Sequence, residues 1–439
     1  AASQASALEV VPSGVMDFVF VYSNGPTVWD EPGNFTDSEF DRFSARQRSR
    51  IQIDFIANEN LRGVMMLQFG RWEWGAGGAA LDTTSDSALV RRLYIDFNFP
   101  DSPVNMKMGL MDLVLPYANF GQPVFGGHVA AVTATANVTD NASLTAFWAR
   151  PSPSDAVKDN DMDVFGLWAN LDFDSFTIAP WAAYASIGSD SGWFDREDIN
   201  SGNFNETGAA DWWGVGAAVK VMPTDALTVK FDAMYARLSG GDIEYNTEDI
   251  KASGYYFALA VDYALDWGTP GLFAIYSSGD DADDGDTNAE FHRIPGLQYS
   301  DYIYPTRMAF AGSMTCGYDS YISVSGIGLW MLGAQISNLS FAENVNHTAR
   351  LAYIRGTNHI DSALIRGGTA PTLGSVVPLA YEDQAWEVGF DTYWQMYENL
   401  TVGLELGYIY LDATDKRDRD EIYNEDSVYS ANLIFRFGF

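Results

Sequence analysis

The chain alternates. From Val15 onward, apolar and aromatic residues recur at every second position with polar or small residues between them. Phe18, Phe20 and Tyr22 share one face opposite Asp17, and Ile51, Ile53 and Phe55 oppose Arg46, Arg48, Arg50, Gln52 and Asp54. The same rhythm sets Leu93, Ile95, Phe97 and Phe99 on one side, then Tyr255 through Leu265, then Leu400 through Tyr410. It ends in Ser427 to Phe439, where Tyr429, Ala431, Leu433, Phe435, Phe437 and Phe439 lie on one side of the pattern. A period of two belongs to a strand with one apolar face. Three alternating phenylalanines facing water invite aggregation; facing lipid, they anchor.

The connections alternate too. Short ones, such as Asn58-Glu59-Asn60, Asp140-Asn141, Asp172-Phe173-Asp174, Pro223-Thr224-Asp225 and Glu398-Asn399, are separated by long acidic or glycine-rich ones. Asx side chains, the fixed φ of proline and permissive glycine are turn chemistry. Segregation of loop lengths to two ends is the mark of a transmembrane barrel, with short periplasmic turns and long extracellular loops. The pattern predicts an all-β fold, a single domain over residues 1–439 forming a closed antiparallel transmembrane β-barrel of about eighteen strands, with about sixteen as the alternative. The open region is Ser277 to Tyr321, which holds either an extra strand pair or one long folded loop. Closure removes the unpaired edge that lipid does not tolerate. No run of apolar residues is long enough for a transmembrane helix. The start, Ala1-Ala2-Ser3-Gln4-Ala5, reads as a mature N-terminus left by signal cleavage.

Charge sharpens this picture. The net charge is −34, from 25 basic and 59 acidic residues, and a polyanion such as nucleic acid would be repelled. Lumen parity falls on Arg46, Arg48, Arg50, Arg92, Lys107, Lys230, Arg350 and Arg436, and on Asp17, Asp54, Asp96, Asp232, Asp262, Glu387, Asp391 and Glu405. The two sets balance, so the surplus acid belongs to the loops, among them Asp155–Asp163, Asp242–Asp249 and Asp412–Asp426. Solvated loop faces are the plain reading. The other is Ca2+ or Mg2+ bridging these carboxylates to one another or to lipopolysaccharide, with Asp281, Asp283, Asp284 and Asp286 as the candidate ligands. That run imitates an EF-hand loop, but with Gly285 in the sixth place Ala282 and Phe291 fall where ligands belong. No motif requires a cofactor. Cys316 stands alone and supports no disulfide framework. His128, His292, His347 and His359 belong to no catalytic motif, so enzymatic activity is not expected.

Arg46, Arg48 and Arg50 stack two residues apart on one strand. Like charges at that spacing repel in a dry core, whereas a water-filled lumen screens them. Arg92 and Lys107 extend the same wall.

With its ALEVVPSG near the start and FRFGF at the end, the whole chain resembles in pattern the trimeric general porins of Gram-negative outer membranes. It is most similar to the acidic homotrimeric porins of sulfate-reducing bacteria. The resemblance implies residence in the outer membrane, a homotrimer, and a third long loop folded into the lumen, here Asp112 to Val129. It implies that Arg46, Arg48, Arg50 and Arg92 are the basic ladder facing that loop, and that Phe435, Phe437 and Phe439 serve as an assembly signal. The family's loop often carries several carboxylates; this one has only Asp112. The expected function is passive diffusion of small hydrophilic solutes and ions past a constriction lined by arginine, with Lys107, Glu387 and Asp391 also in the lumen. The alternative is a substrate-selective channel with a solute-binding site, toward which Trp168 and Trp181 have lumen parity but are too few to define a track.

Overall fold

The computed structural model describes residues 8–24, 42–74, 88–152, 161–188, 209–243, 246–280, 290–291, 295–297, 305–309, 328–359, 379–412 and 427–439. The strands are β1 (Glu9–Ser23), β2 (Arg42–Asn58), β3 (Leu61–Glu73), β4 (Leu89–Asn98), β5 (Val104–Val114), β6 (Gly126–Thr139) and β7 (Ala142–Ser152). They continue as β8 (Met162–Phe173), β9 (Phe176–Ile187), β10 (Ala210–Val221), β11 (Leu227–Ile243), β12 (Asn246–Tyr263), β13 (Thr269–Ser277) and β14 (Glu290–Phe291). The last are β15 (Leu329–Ala342), β16 (Val345–Gly356), β17 (Gln384–Tyr397), β18 (Leu400–Asp412) and β19 (Ser427–Gly438).

One 19-stranded sheet contains them all. The two-residue β14 only adds to β12 in parallel, so 19 less 1 leaves a wall of eighteen antiparallel strands. The wall closes where β19 returns to β1, from Val15↔Gly438 to Ser23↔Ser430. Among the described residues of Ser277 to Tyr321, the two-residue β14 is the one strand that begins after Ser277, and no strand pair is present. No helix is long and apolar enough to cross a membrane, which says nothing of a barrel.

Local chemistry makes the short turns. Asn58 Oδ1 accepts from the Asn60 amide at 2.9 Å, and Thr224 Oγ1 accepts from the Leu227 amide at 3.1 Å; both are side-chain mimics of a backbone turn. One expected loop is strand instead. The acidic stretch Asp242–Asp249 lies largely within the ends of β11 and β12, which pair as far as Ile243↔Asn246.

The strand faces divide as the alternation predicts. Leu93, Ile95, Leu259, Leu404, Leu433 and Phe437 are exposed on the outside, while Asp17, Asp96, Asp232 and Asn432 are buried on the inside. Aromatic pairs band both ends of the exterior. At the long-loop end these include Tyr22 with Tyr429, 5.9 Å between rings, and Tyr353 with Trp386, 4.7 Å. At the short-turn end Phe173 meets Phe176 at 4.5 Å and Phe437 meets Phe439 at 6.1 Å. Such girdles sit at the two membrane–water interfaces. An apolar belt encircling a monomer far exceeds the roughly 300–600 Å² patches that water-soluble proteins expose.

Candidate functional site

The lumen is lined by two different halves. On the side of β6 to β13, inward glycines and alanines make room for large side chains. Trp181 packs over Gly216, where a Cβ would lie 2.5 Å from its ring. Phe147, Trp181, Trp212, Tyr256 and Phe273 then form one buried apolar cluster with residues that come from loops. Each fully buried side chain of this size contributes about 1.5–3 kcal/mol.

The first such loop joins β5 to β6. Pairing between β4 and β5 stops at Leu93↔Leu110, while β5 and β6 remain paired to Val114↔Gly126. The outer half of this hairpin therefore leaves the wall and leans inward. Gly109 marks the departure, with φ of +128°, and a Cβ there would collide with the Leu93 carbonyl oxygen. Beyond Val114 the loop crosses to the far wall. Asp232 on β11, fully buried, accepts from the Ala118 and Asn119 amides at 2.6 and 2.8 Å. Phe120 meets Phe273 at 5.5 Å, and Phe125 stacks on Phe147 at 6.0 Å. The expected span 112–129 thus includes strand ends, with residues 115–125 as the non-strand part. Asp232→Ala orphans two amides, each costing about 1–3 kcal/mol. The loop tip should loosen while Phe120 and Phe125 keep it in place, seen as larger and noisier single-channel conductance. Asp232→Asn, which keeps an acceptor, should sit between.

A second stretch folds inward from the connection between β13 and β15. Glu387 on β17 accepts from Thr306 Oγ1 at 2.6 Å and from the amides of Arg307, Met308 and Ala309 at 2.7, 2.7 and 2.9 Å. The Arg307 guanidinium bonds both Asp391 and Glu405, and all three side chains are 0–2 % exposed. Glu387 and Asp391 do point inward as expected, but the loop covers them, so they hold it rather than line open water. Arg307 escaped the sequence reading because its loop carries no alternation. Residues 295–297 join the first loop to this region: Leu297 donates to the Val124 carbonyl at 2.6 Å, and Trp212 Nε1 to the Pro295 carbonyl at 2.9 Å.

Opposite lies the arginine wall. Asp17 on β1 accepts from Arg48 on β2 at 2.9 Å and from Arg436 on β19 at 2.6 Å, a clamp across the closing seam. Arg50 donates to Gln68 at 2.9 Å. Arg92 donates to Gln52 at 3.2 Å and pairs with Asp112, whose other oxygen meets His128. Arg91 shares the odd parity of the outward-facing Leu93 and Ile95, yet it bonds Gln68 at 3.1 Å and His128 at 2.9 Å. The reason is a bulge: Met66 pairs with Arg92 and Leu67 with Val90, and the extra residue turns Arg91 inward beside Arg92. Neutral glutamine oxygens position these guanidinium groups without cancelling their charge. Arg46 lies buried on the same face of β2. Lys107 sits lower, opposite Asp96 in register; Asp96 accepts from Arg62 at 2.8 Å and Asp54 lies near Arg62, so two carboxylates balance two cations in that tier. Asp112 belongs to the arginine side and does not face it across the lumen.

Phe435, Phe437 and Phe439 are on the outer face of β19, and the seam ends in paired Gly14 and Phe439 backbones at 2.8 and 3.0 Å. Asp281, Asp283, Asp284 and Asp286 lie outside the described residues. Among the described residues, no group of three His, Cys, Asp or Glu could hold a metal ion.

A closed eighteen-stranded barrel with a lipid-facing exterior and loops turned into its lumen has the architecture of an integral outer-membrane β-barrel of Gram-negative bacteria. No protein-family model and no curated protein matches the sequence. Solved structures do match the fold. A BenF-like porin from Pseudomonas fluorescens Pf-5 superposes with a TM-score of 0.55 at 11% identity, covering 98% of each chain. OccAB3 of Acinetobacter baumannii gives 0.53 at 11% over 98% of this chain and 99% of that one, and OprD of Pseudomonas aeruginosa 0.51 at 15% over 98% and 95%.

Proposed function

We propose that this protein is an outer-membrane porin: a water-filled channel through which small hydrophilic solutes and ions diffuse passively, past a constriction lined by arginine. The observation that carries this reading is the asymmetry of the lumen. The first loop packs on the apolar half and leaves the arginine wall facing it. On that wall Arg48 and Arg436 share Asp17, Arg92 pairs with Asp112, and Arg50 and Arg91 bond the neutral Gln68. A charged ring at the narrowest point biases permeation, and here the bias favours anions weakly.

Reversal potentials in planar bilayers under a salt gradient test it. Arg46→Gln with Arg50→Gln should raise the cation-to-anion permeability ratio roughly three- to tenfold after screening. Arg48 is left alone because it holds the seam. Strong cation selectivity in the unaltered channel would sink the proposal. The affinity with acidic porins of sulfate-reducing bacteria, the homotrimer, and divalent cations between loop carboxylates and lipopolysaccharide belong to the same reading. Closure in three equal current steps supports the trimer.

A further inference from the structure

The backbone ladder between β4 and β5 stops at Leu93↔Leu110, and beyond it side chains span the gap between the wall and the leaning β5–β6 hairpin. Arg92 of β4 reaches Asp112 of β5, and Arg91 of β4 donates from Nε to Nε2 of His128 on β6 at 2.9 Å. Asp112 and His128 stand opposite each other in register, and the imidazole Nδ1 lies against the Asp112 carboxylate. The result is a chain of four side chains, Arg92, Asp112, His128 and Arg91, that returns to the strand on which it began.

The direction of one hydrogen bond in this chain fixes a proton. A guanidinium carries donors and no acceptor, and it stays charged at every working pH. For Arg91 to donate to Nε2, that nitrogen must offer a lone pair, so His128 is neutral with its proton on Nδ1, facing Asp112. A second proton, added in acid, puts an N–H on Nε2 opposite the Arg91 N–H, and the bond between them is lost. The imidazolium stays on Asp112, while Arg91 keeps its bond to Gln68. Imidazole is the side chain whose ordinary titration falls between pH 5 and 8, and the His128 side chain is 21 % exposed, so lumen water reaches it. The charged groups around it among the described residues are Arg91 and Arg92 from β4 and Asp112 from β5. Gln68 of β3 is neutral, and Arg150 of β7 is taken by Asp161 and Asp163.

We infer that His128 is a proton-controlled positioning residue. Neutral, it holds Arg91 beside Arg92; protonated, it lets go of the Arg91 Nε and adds a positive charge to the arginine wall. The inference rests on the channel reading and deepens it, because it makes the ion preference of the constriction depend on pH. Two measurements test it. Nitrogen-15 spectra of the histidine-labelled barrel in detergent report the tautomer without requiring conduction. At pH 8 at least one histidine should be in the Nδ1–H form, and His128→Gln should remove one such signal. Reversal potentials under a salt gradient report the selectivity. From pH 8 to pH 5.5 the anion-to-cation permeability ratio should rise roughly threefold, the factor that one unit charge exerts about 6 Å away in water. The glutamine oxygen accepts from Arg91 and takes no proton, so His128→Gln should flatten that rise. His128→Asn, whose amide nitrogen replaces Nδ1 toward Asp112, should be equally flat, so either variant serves if the other does not fold. Carboxylates titrate mostly below this range, and their contribution is common to all three proteins. The same pH profile with and without the imidazole, or no Nδ1–H histidine in the unaltered barrel at pH 8, overturns the inference. An Nδ1–H signal lost in His128→Gln, from a barrel that passes no current, leaves the proton relay standing and removes the channel reading.

Discussion

Replacing Arg307 by alanine should widen the channel and turn it toward cations. Arg307 is the counter-charge for Asp391 and Glu405 inside a patch closed to solvent, and Glu387 holds three neighbouring amides. Without the guanidinium, three inward carboxylates share the patch, with Arg350 on Asp391 and the Tyr393 hydroxyl on Glu405 as side-chain partners among the described residues. Removing one partner of a buried ion set costs about 3–5 kcal/mol. At about 1.4 kcal/mol per factor of ten, the docking equilibrium of this segment shifts by roughly a hundred- to several-thousand-fold. The wall does not depend on it, because β16, β17 and β18 keep their backbone ladders. Conductance and reversal potential should therefore change while barrel stability changes little. Glu387→Gln, which keeps one acceptor oxygen, should give a milder version. Unchanged conductance and selectivity in Arg307→Ala would show that the segment does not bound the permeation path.

The second large effect is on stability. Asp17→Ala should lower the temperature at which the barrel loses its compact, heat-modifiable migration on gels. The carboxylate is 1 % exposed and serves two arginines, Arg48 at 4 % and Arg436 at 28 %. Its loss strands one guanidinium in the wall and leaves the other to lumen water, so the full cost of a broken buried pair is discounted to about 2–3 kcal/mol. Adding Arg48→Met to Asp17→Ala should recover part of the loss, since the stranded charge is then gone. If the double variant is no more stable than the single, the clamp contributes less than the backbone pairs of the seam.

Strand faces were legible because two solvents, lipid and water, impose a period of two on each strand. Loop segregation was legible because turn chemistry is local. Arg91 was not, since one bulged residue reverses parity without a mark in the sequence. Glu387 and Asp391 were legible as inward-facing, but what covers them arrives from a loop some eighty residues upstream. Asp242–Asp249 looked like a loop because acidic residues are poor strand formers; the hairpin there follows from backbone pairing that composition does not report.

The leaning β5–β6 hairpin has a mechanical meaning. A loop hung from two free ends can swing as a flap, whereas this one is a cantilever: its two strands stay paired to each other as far as Val114↔Gly126 and are rooted in the wall through Leu93↔Leu110 and Ala130↔Arg150. Tilting the root would require tearing the ribbon from the wall. The part free to give under an applied voltage is the short span beyond it, tethered at its far end to Asp232. Stiffness of the opening is thus inherited from the barrel, and only its tip is adjustable.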